Sequence, residues 1–222
     1  MKRTLLISDI HGEYEKFIRL LEKVKYSPDR DQLVLLGDYI DRGPDSKKVL
    51  NKVKELKEKG AIVLTGNHDQ MMIDATEGKD KAWDRCERNG GLATLANYHN
   101  GEELAEIPDD KEFHEHVEFL RKLAYYHETE EYIFVHAGVE AGKAPSETDH
   151  WTLIWIREEF FRNYKGEKTV IFGHTPTKYL NEDKSNDVYF GKNNVIGIDG
   201  GAVYGGQLNC LELPSKKTYF IK

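Results

Sequence analysis

Cysteine is scarce in this sequence. Among 222 residues there are two, Cys86 and Cys210, far apart and in no CxxC pattern. Reduced thiols in a cytoplasmic protein are the simplest reading, with a single disulfide left open. Neither cysteine has a neighbouring motif that would make it a nucleophile. Long apolar runs are also missing, and none approaches the roughly 18 residues of a spanning helix, so no membrane association is expected. The start, "MKRTLLISDIHG", carries two basic residues and a short apolar run that resembles a weak secretory signal. That run is cut short by Asp9 and lacks a small-residue cleavage site, so it reads as a buried first strand. Basic excess is absent too. The formal net charge is −7, which argues against a non-specific nucleic-acid binder while leaving room for a local positive site. There is no internal repeat, low-complexity segment or linker.

What is present suits one α/β domain over residues 1–222, with a helical cap or insertion at about 79–110. The first half alternates. "TLLIS", "DQLVLLGD" and "AIVLTGN" read as strands. Between them, "EYEKFIRLLEKVK" places Phe17, Leu20, Leu21 and Val24 at helical spacing. "PDSKKVLNKVKELKEKG" does the same with Val49, Leu50, Val53 and Leu56, with Ser46 as its N-cap and Gly60 as its end. This βαβαβ order implies neighbouring parallel strands. Residues 79–111 are polar and broken by "NGG" and "NG". A helix from Asp110 to Leu123 and a strand pair in "AYYHETEEYIFVHAG" follow. "KTVIFGH", "DVYFG", "NVIGIDGG", "QLNCLEL" and "KTYFI" then suggest a second, mixed or antiparallel sheet. Two facing sheets with helices outside are the expected architecture.

The informative residues stand where strands end. "LLIS" runs into Asp9 and His11, "LVLLG" into Asp38, Asp41 and Arg42, and "IVLTG" into Asn67, His68 and Asp69. "YIFV" ends at His136 and "VIFG" at His174. Ligands of open α/β sheets gather at the carboxyl ends of strands. One such ending would be an ordinary turn, but five together point to a site. Asp9, His11, Asp38, Asn67, His136 and His174 are all nitrogen or oxygen donors, a set that suits Mn, Fe, Zn, Ni or Co. Six ligands exceed the need of one hydrolytic ion and suffice for two if a carboxylate bridges them. A phosphate ester leaving as an alkoxide would also need a proton donor and a cationic clamp, for which His68 and Arg42 are the candidates.

In this order, "SDIHG", "GDYIDRG", "GNHD", "HAG" and "GHT" resemble the signature blocks of the metallophosphoesterases of the phosphoprotein phosphatase type. The tail "IDGGAVYGGQLNCLEL" is similar to that family's last strands, and "NGGLATL" and "LIWIRE" resemble its bacterial and phage branch. The resemblance implies a calcineurin-like sandwich of two mixed sheets flanked by helices, with two divalent ions per chain, Mn²⁺ first among them. Asp9, His11 and Asp38 would hold the first ion. Asp38 would bridge to the second, completed by Asn67, His136 and His174. His68 would be the general acid, oriented by Asp41. Arg42 would bind phosphate oxygens, with Arg157 of "WIRE" as the second phosphate arginine, and Tyr204 approaching the site. Ser8 departs from the glycine that many members carry before the first Asp, a change small enough to leave the metal site intact. Asp69 would support its loop or the helix it opens.

The expected activity is phosphomonoester hydrolysis by direct attack of metal-bound hydroxide. A Ser/Thr protein phosphatase is placed first and a diadenosine tetraphosphatase second; the partner is then a phosphoprotein or a dinucleoside polyphosphate. A non-catalytic scaffold is the remote alternative. His114 and His116 look like a metal pair, but i and i+2 point apart on a helix, and both are read as solvated. Trp151 and Trp155 are read as core residues.

Overall fold

A computed structural model describes residues 3–222. Two five-stranded sheets face each other. The first contains β1 (Arg3–Ile7), β2 (Asp31–Leu35), β3 (Ile62–Val63), β9 (Leu208–Leu213) and β10 (Lys217–Ile221), in the order β10-β9-β1-β2-β3. The second contains β4 (Tyr126–Glu128), β5 (Tyr132–Val135), β6 (Thr169–Phe172), β7 (Tyr189–Phe190) and β8 (Val195–Gly197), in the order β4-β5-β6-β8-β7. Each has a parallel centre, β1-β2-β3 or β5-β6-β8, with antiparallel strands added at its margins. One expectation is corrected here. "QLNCLEL" and "KTYFI" do not extend the second sheet. They return to the first, where β9 pairs with β1. Strand patterning cannot distinguish these outcomes, because either sheet offers β9 an edge.

The alternation of side chains sets which face each strand buries. Leu6, Val34 and Leu211 point between the sheets and meet Phe134, Ile171 and Ile196 from the other side. Their neighbours Leu5, Ile7, Leu33 and Leu35 point outward. They are covered by α1 (Tyr14–Lys23), α2 (Ser46–Glu58) and α6 (Lys111–Arg121) through Phe17, Leu20, Val49, Val53, Phe113 and Val117. On the far side Val135, Val170 and Phe172 pack with Leu153 and Phe160, from α7 (His150–Trp155) and α8 (Glu158–Asn163). α3 (Asn67–Thr76) leaves the end of the third-strand segment directly.

Within residues 79–110 lie α4 (Ala82–Arg88) and α5 (Gly91–Ala96), packed on α3 and α2 respectively. Asp45, not Ser46, is the residue before α2; Gly60 follows its C-cap with φ +94°. The Ser46 hydroxyl faces inward instead, accepting from the Asp41 N–H and donating to Thr94 Oγ1 at 3.1 Å. Both cysteines are buried and unbridged. Burial pushes both thiols up, Cys210 to about 12. His114 is exposed, but His116 is buried. Its Nδ1 accepts from the Tyr98 hydroxyl at 2.6 Å and its Nε2 faces Asn51 Oδ1 at 3.1 Å. Thus they form no pair, and only His114 is solvated. Among the described residues no helix is long and apolar enough to cross a membrane.

Candidate active site

The polar strand ends of both sheets converge. Asp9, His11, Asp38, Asp41, Asn67, His68, Asp69, His136 and His174 are all buried. The loops after β1 and β2 are zipped together, with His11 N–H donating to the Asp38 carbonyl and Gly12 N–H to that of Tyr39, both at 2.9 Å. The backbone here is unusual. Asp9, His11, Asp38, Asp41, Arg42 and His174 all have φ between 44° and 71°. Such a left-handed residue costs on the order of 1–2 kcal/mol. Asp and His are among the side chains that visit this region most readily, so residue type and loop shape agree. Glycine is required where carboxylates press on the chain. A Cβ on Gly66 would lie 2.2 Å from Asp38 Oδ1, and one on Gly173 would lie 2.2 Å from Asp9 Oδ2.

Asp38 is central. Its Oδ2 lies 3.6 Å from His11 Nε2 and 3.3 Å from His136 Nε2, and its Oδ1 accepts from the His68 N–H. Two groups of side chains have the spacing to hold a metal ion, His11–Asp38–His68 and Asp38–His136–His174. Asp38 belongs to both, as a bridge would. Asn67 Oδ1 adjoins the second group, 2.9 Å from His136 Nε2. Asp9 is in neither. Its carboxylate accepts the His174 N–H at 3.0 Å and the Ser8 hydroxyl. Ser8 therefore touches the site through a hydrogen bond that a glycine could not make. The first group also includes His68 where the sequence suggested Asp9.

The imidazoles are oriented from behind. His11 Nδ1 faces the Ile40 carbonyl and His136 Nδ1 the Leu36 carbonyl, each at 2.8 Å. A ring nitrogen against a carbonyl carries the proton, which turns Nε2 toward the centre. His174 Nε2 is buried without a hydrogen-bond partner, which is uncommon for a polar atom. Burial pushes His11 and His174 well below the ordinary imidazole value. Burial also acts to raise Asp38, but His136, His68 and His11 outweigh it and hold the carboxyl well below its usual range. Burial opposes charge on His136, yet Asp38 and Asp9 raise it to about 9. Asp9 is raised by burial, with His136 opposing and Asp38 adding. The neutral imidazoles of His11 and His174, an amide oxygen and a shared carboxylate, with His136 able to exchange its proton for a cation, make a donor set that fits divalent cations.

The remaining residues frame this centre. His68 Nδ1 donates to Asp41 Oδ2 at 2.7 Å, and Thr94 Oγ1 donates to Asp41 Oδ1 while accepting the Asp41 N–H, both at 2.8 Å. Asp69 answers its question both ways. Its carboxylate accepts the N–H groups of Asp38, Tyr39 and Gly66, so it ties the second-strand loop to the start of α3. Burial and the Asp38 charge raise its carboxyl to about 8. Arg42 Nη1 donates to His11 Nε2 at 2.8 Å, and its guanidinium lies 5.1 Å from the ring centre of Tyr204. Arg157 is exposed at the rim, donating to the His174 carbonyl and Thr175 Oγ1 at 3.2 Å. Trp151 and Trp155 are not core residues. They stack on one another at 5.0 Å, and Trp151 is 52% exposed.

Sequence reasoning missed two supports. Thr94 is the threonine of "NGGLATL", to which the pattern assigns no role, and is placed by α5. Asp199 ends β8 in "IGIDGG", the same strand-end signal as the other five. It is buried, and its Oδ1 accepts the Gly201 N–H at 2.8 Å. Burial, and then the charge of Asp9, push it well above the ordinary carboxyl value.

Residues 2–206 match the model of the calcineurin-like phosphoesterase family. A curated relative, bis(5'-nucleosyl)-tetraphosphatase PrpE [asymmetrical] of Oceanobacillus iheyensis, is 29% identical over 96% of this chain and 89% of its own. The symmetrical bis(5'-nucleosyl)-tetraphosphatase of Nitrosospira multiformis is 35% identical over 60% of this chain and 42% of its own. A solved "putative diadenosine tetraphosphatase" superposes with a TM-score of 0.72 at 23% identity, covering 99% of this chain and 93% of that one. A Saccharomyces cerevisiae protein serine/threonine phosphatase gives 0.67 at 13%, covering 100% and 80%. At these identities the two solved structures share the fold.

Proposed function

The chain belongs to the calcineurin-like phosphoesterase family and is a phosphoric ester hydrolase, and we propose that its substrate is a dinucleoside polyphosphate. The observation that carries the chemistry is Asp38, shared between two histidine groups supplied by both sheets. The names of the curated relatives carry the substrate. They reverse the order expected from the sequence, where a phosphoprotein came first. Support for the phosphoprotein is a likeness of fold.

In this reading Asp9, His11 and Asp38 hold one divalent ion, and Asp38, Asn67, His136 and His174 the other. Such ions supply Lewis acidity and an activated water. His68, with its Nδ1–H held by Asp41, presents Nε2 to the leaving oxygen and delivers its proton. Thr94 fixes Asp41 and so the ring. Arg42 and Arg157, cations on two sides of the centre, bind phosphate oxygens and favour the charge that develops there. The segment at 79–110 acts as a buttress through Gly90, whose carbonyl accepts the Arg42 N–H, and Thr94.

The test compares diadenosine tetraphosphate with phosphoserine and phosphothreonine peptides at equal concentration, with Mn²⁺ and metal analysis of the same sample. The expected result is a much larger kcat/KM for the dinucleotide. A preference for the peptides would restore the phosphoprotein reading.

A further inference from the structure

Three contacts lead outward from the centre. The Trp155 ring meets His174 edge to face, 5.9 Å between centroids at 82°. Trp151, one helical turn earlier on α7, stacks on Trp155 at 5.0 Å and 21°. The Arg85 guanidinium of α4 lies 5.3 Å from the Trp151 ring centre. We propose that this stack seats one nucleobase of the dinucleoside polyphosphate, against Trp151 and beneath Arg85. This rests on the substrate reading above and names the surface that recognises the nucleotide.

A single exposed tryptophan is unremarkable on a protein surface. Here three observations act together. The ring is 52% exposed, with Trp155 stacked on it and the Arg85 guanidinium lying over it. The base takes the place where Arg85 now lies and the guanidinium moves to the base's outer face, and base–aromatic stacking holds bases of any sequence. It is connected ring by ring to a residue of the phosphate-cleaving centre. Its neighbouring cation is held by the ring alone, with no carboxylate against it among the described residues. Among those residues the arginines in carboxylate ion pairs are Arg3, Arg121 and Arg162, which leaves Arg85 and Arg157 uncompensated, as it does Arg42 beside the centre. In a chain of net charge −7, two uncompensated guanidiniums on this rim match a chain of phosphates leading to a base. Arg85 can stack on the base as it now does on Trp151, since a guanidinium is planar and weakly hydrated. A phosphoserine or phosphothreonine residue has no base of its own to place on this surface.

The test uses Mn²⁺-loaded full-length protein with Trp151→Ala, Trp151→Phe and Arg85→Ala. Two readouts are taken. One is kcat/KM for diadenosine tetraphosphate divided by that for glycerol phosphate, which has no ring. The other is the affinity for ADP, measured by calorimetry. Trp151→Ala is expected to lower both about tenfold, mainly through KM for the first. Trp151→Phe retains most of each value, and Arg85→Ala loses less than Trp151→Ala. Unchanged ratio and ADP affinity in Trp151→Ala overturn the seat, even if the dinucleotide remains the best substrate. If peptides are the better substrate but ADP binding still depends on Trp151, the substrate reading fails and the nucleotide seat stands.

Discussion

At their carboxyl ends, β1, β2 and β6 run into left-handed residues and bury Asp9, His11, Asp38 and His174 around a common centre. At their amino ends, β1 and β2 bury one carboxylate, Asp31, and satisfy it at once. Arg3, its register partner across the sheet, donates Nε and Nη2 to the two oxygens at 3.0 and 2.9 Å, and the Ser27 N–H adds a third bond. Arg3 also reaches Glu212 and the Val24 carbonyl. The two buried side-chain atoms without partners, among the described residues, are His174 Nε2 and Thr177 Oγ1, and both lie on the loop after β6. The same sheets therefore end in two different ways. Polar groups that are paired and unstrained stabilise the fold. Groups that are strained and turned toward a shared point are kept for chemistry.

The largest effect that could break this comparison is at Asp38. Asp38→Ala is expected to lose both metal ions and to lower turnover at least about 10⁴-fold, beyond the range of a lost general acid. Metal analysis and steady-state kinetics check it. Retention of both ions would remove Asp38 from its bridging role and make its burial a structural matter. His68→Ala comes next. Turnover is expected to fall about 10²–10⁴-fold while metal content stays near that of the wild type. His68 also stands within the group of His11 and Asp38, so loss of one ion in this variant would reassign it as a ligand.

The two ends were not equally legible in the sequence. At the carboxyl ends, chemistry is written into residue type, because few side chains tolerate left-handed backbone and even fewer donate to a divalent ion. Asp9, His11, Asp38, Asn67, His136 and His174 could be picked out as donor side chains at strand ends, and four of them, Asp9, His11, Asp38 and His174, are left-handed. Asp199 obeys the same rule and was readable. Thr94 was not, since its contact with Asp41 depends on how α5 packs against α2. The placement of β9 and β10 was hidden for a similar reason, as both sheets could have accepted them. Trp151 and Trp155 illustrate the reverse error. An i,i+4 aromatic pair reads as core, but α7 is short and its outer turn faces solvent. The Arg3–Asp31–Glu212 cluster was invisible because it joins residues 209 positions apart and ordinary charges carry no motif.

That cluster supplies the third prediction. Arg3→Ala leaves Asp31 buried without its principal donor, which costs about 1–3 kcal/mol, or about 2–4 °C in Tm per kcal/mol for a chain of this size. kcat/KM is expected to change less than about twofold, since no site residue touches Arg3. A large loss of activity at unchanged Tm would join the two ends that the comparison separates.

The smallest effect concerns pH. Burial pushes the Asp31 carboxyl up, but the Arg3 hydrogen bonds and the Ser27 N–H bring it below its ordinary value of 3.8. The unfolded chain therefore takes up the proton first as pH falls. The stabilisation from this group is complete above about 3.8 and is lost as pH drops through the lower folded value. Asp31→Asn keeps the shape and removes the titration. Its stability deficit against the wild type, measured by urea unfolding, is expected to stay constant from pH 8 to about 5 and to close only below about 3.8. A deficit that widens as pH falls from 7 to 5 would mean that the Asp31 carboxyl is raised, not lowered. The amino end would then be holding an imperfectly satisfied charge, as the carboxyl end does.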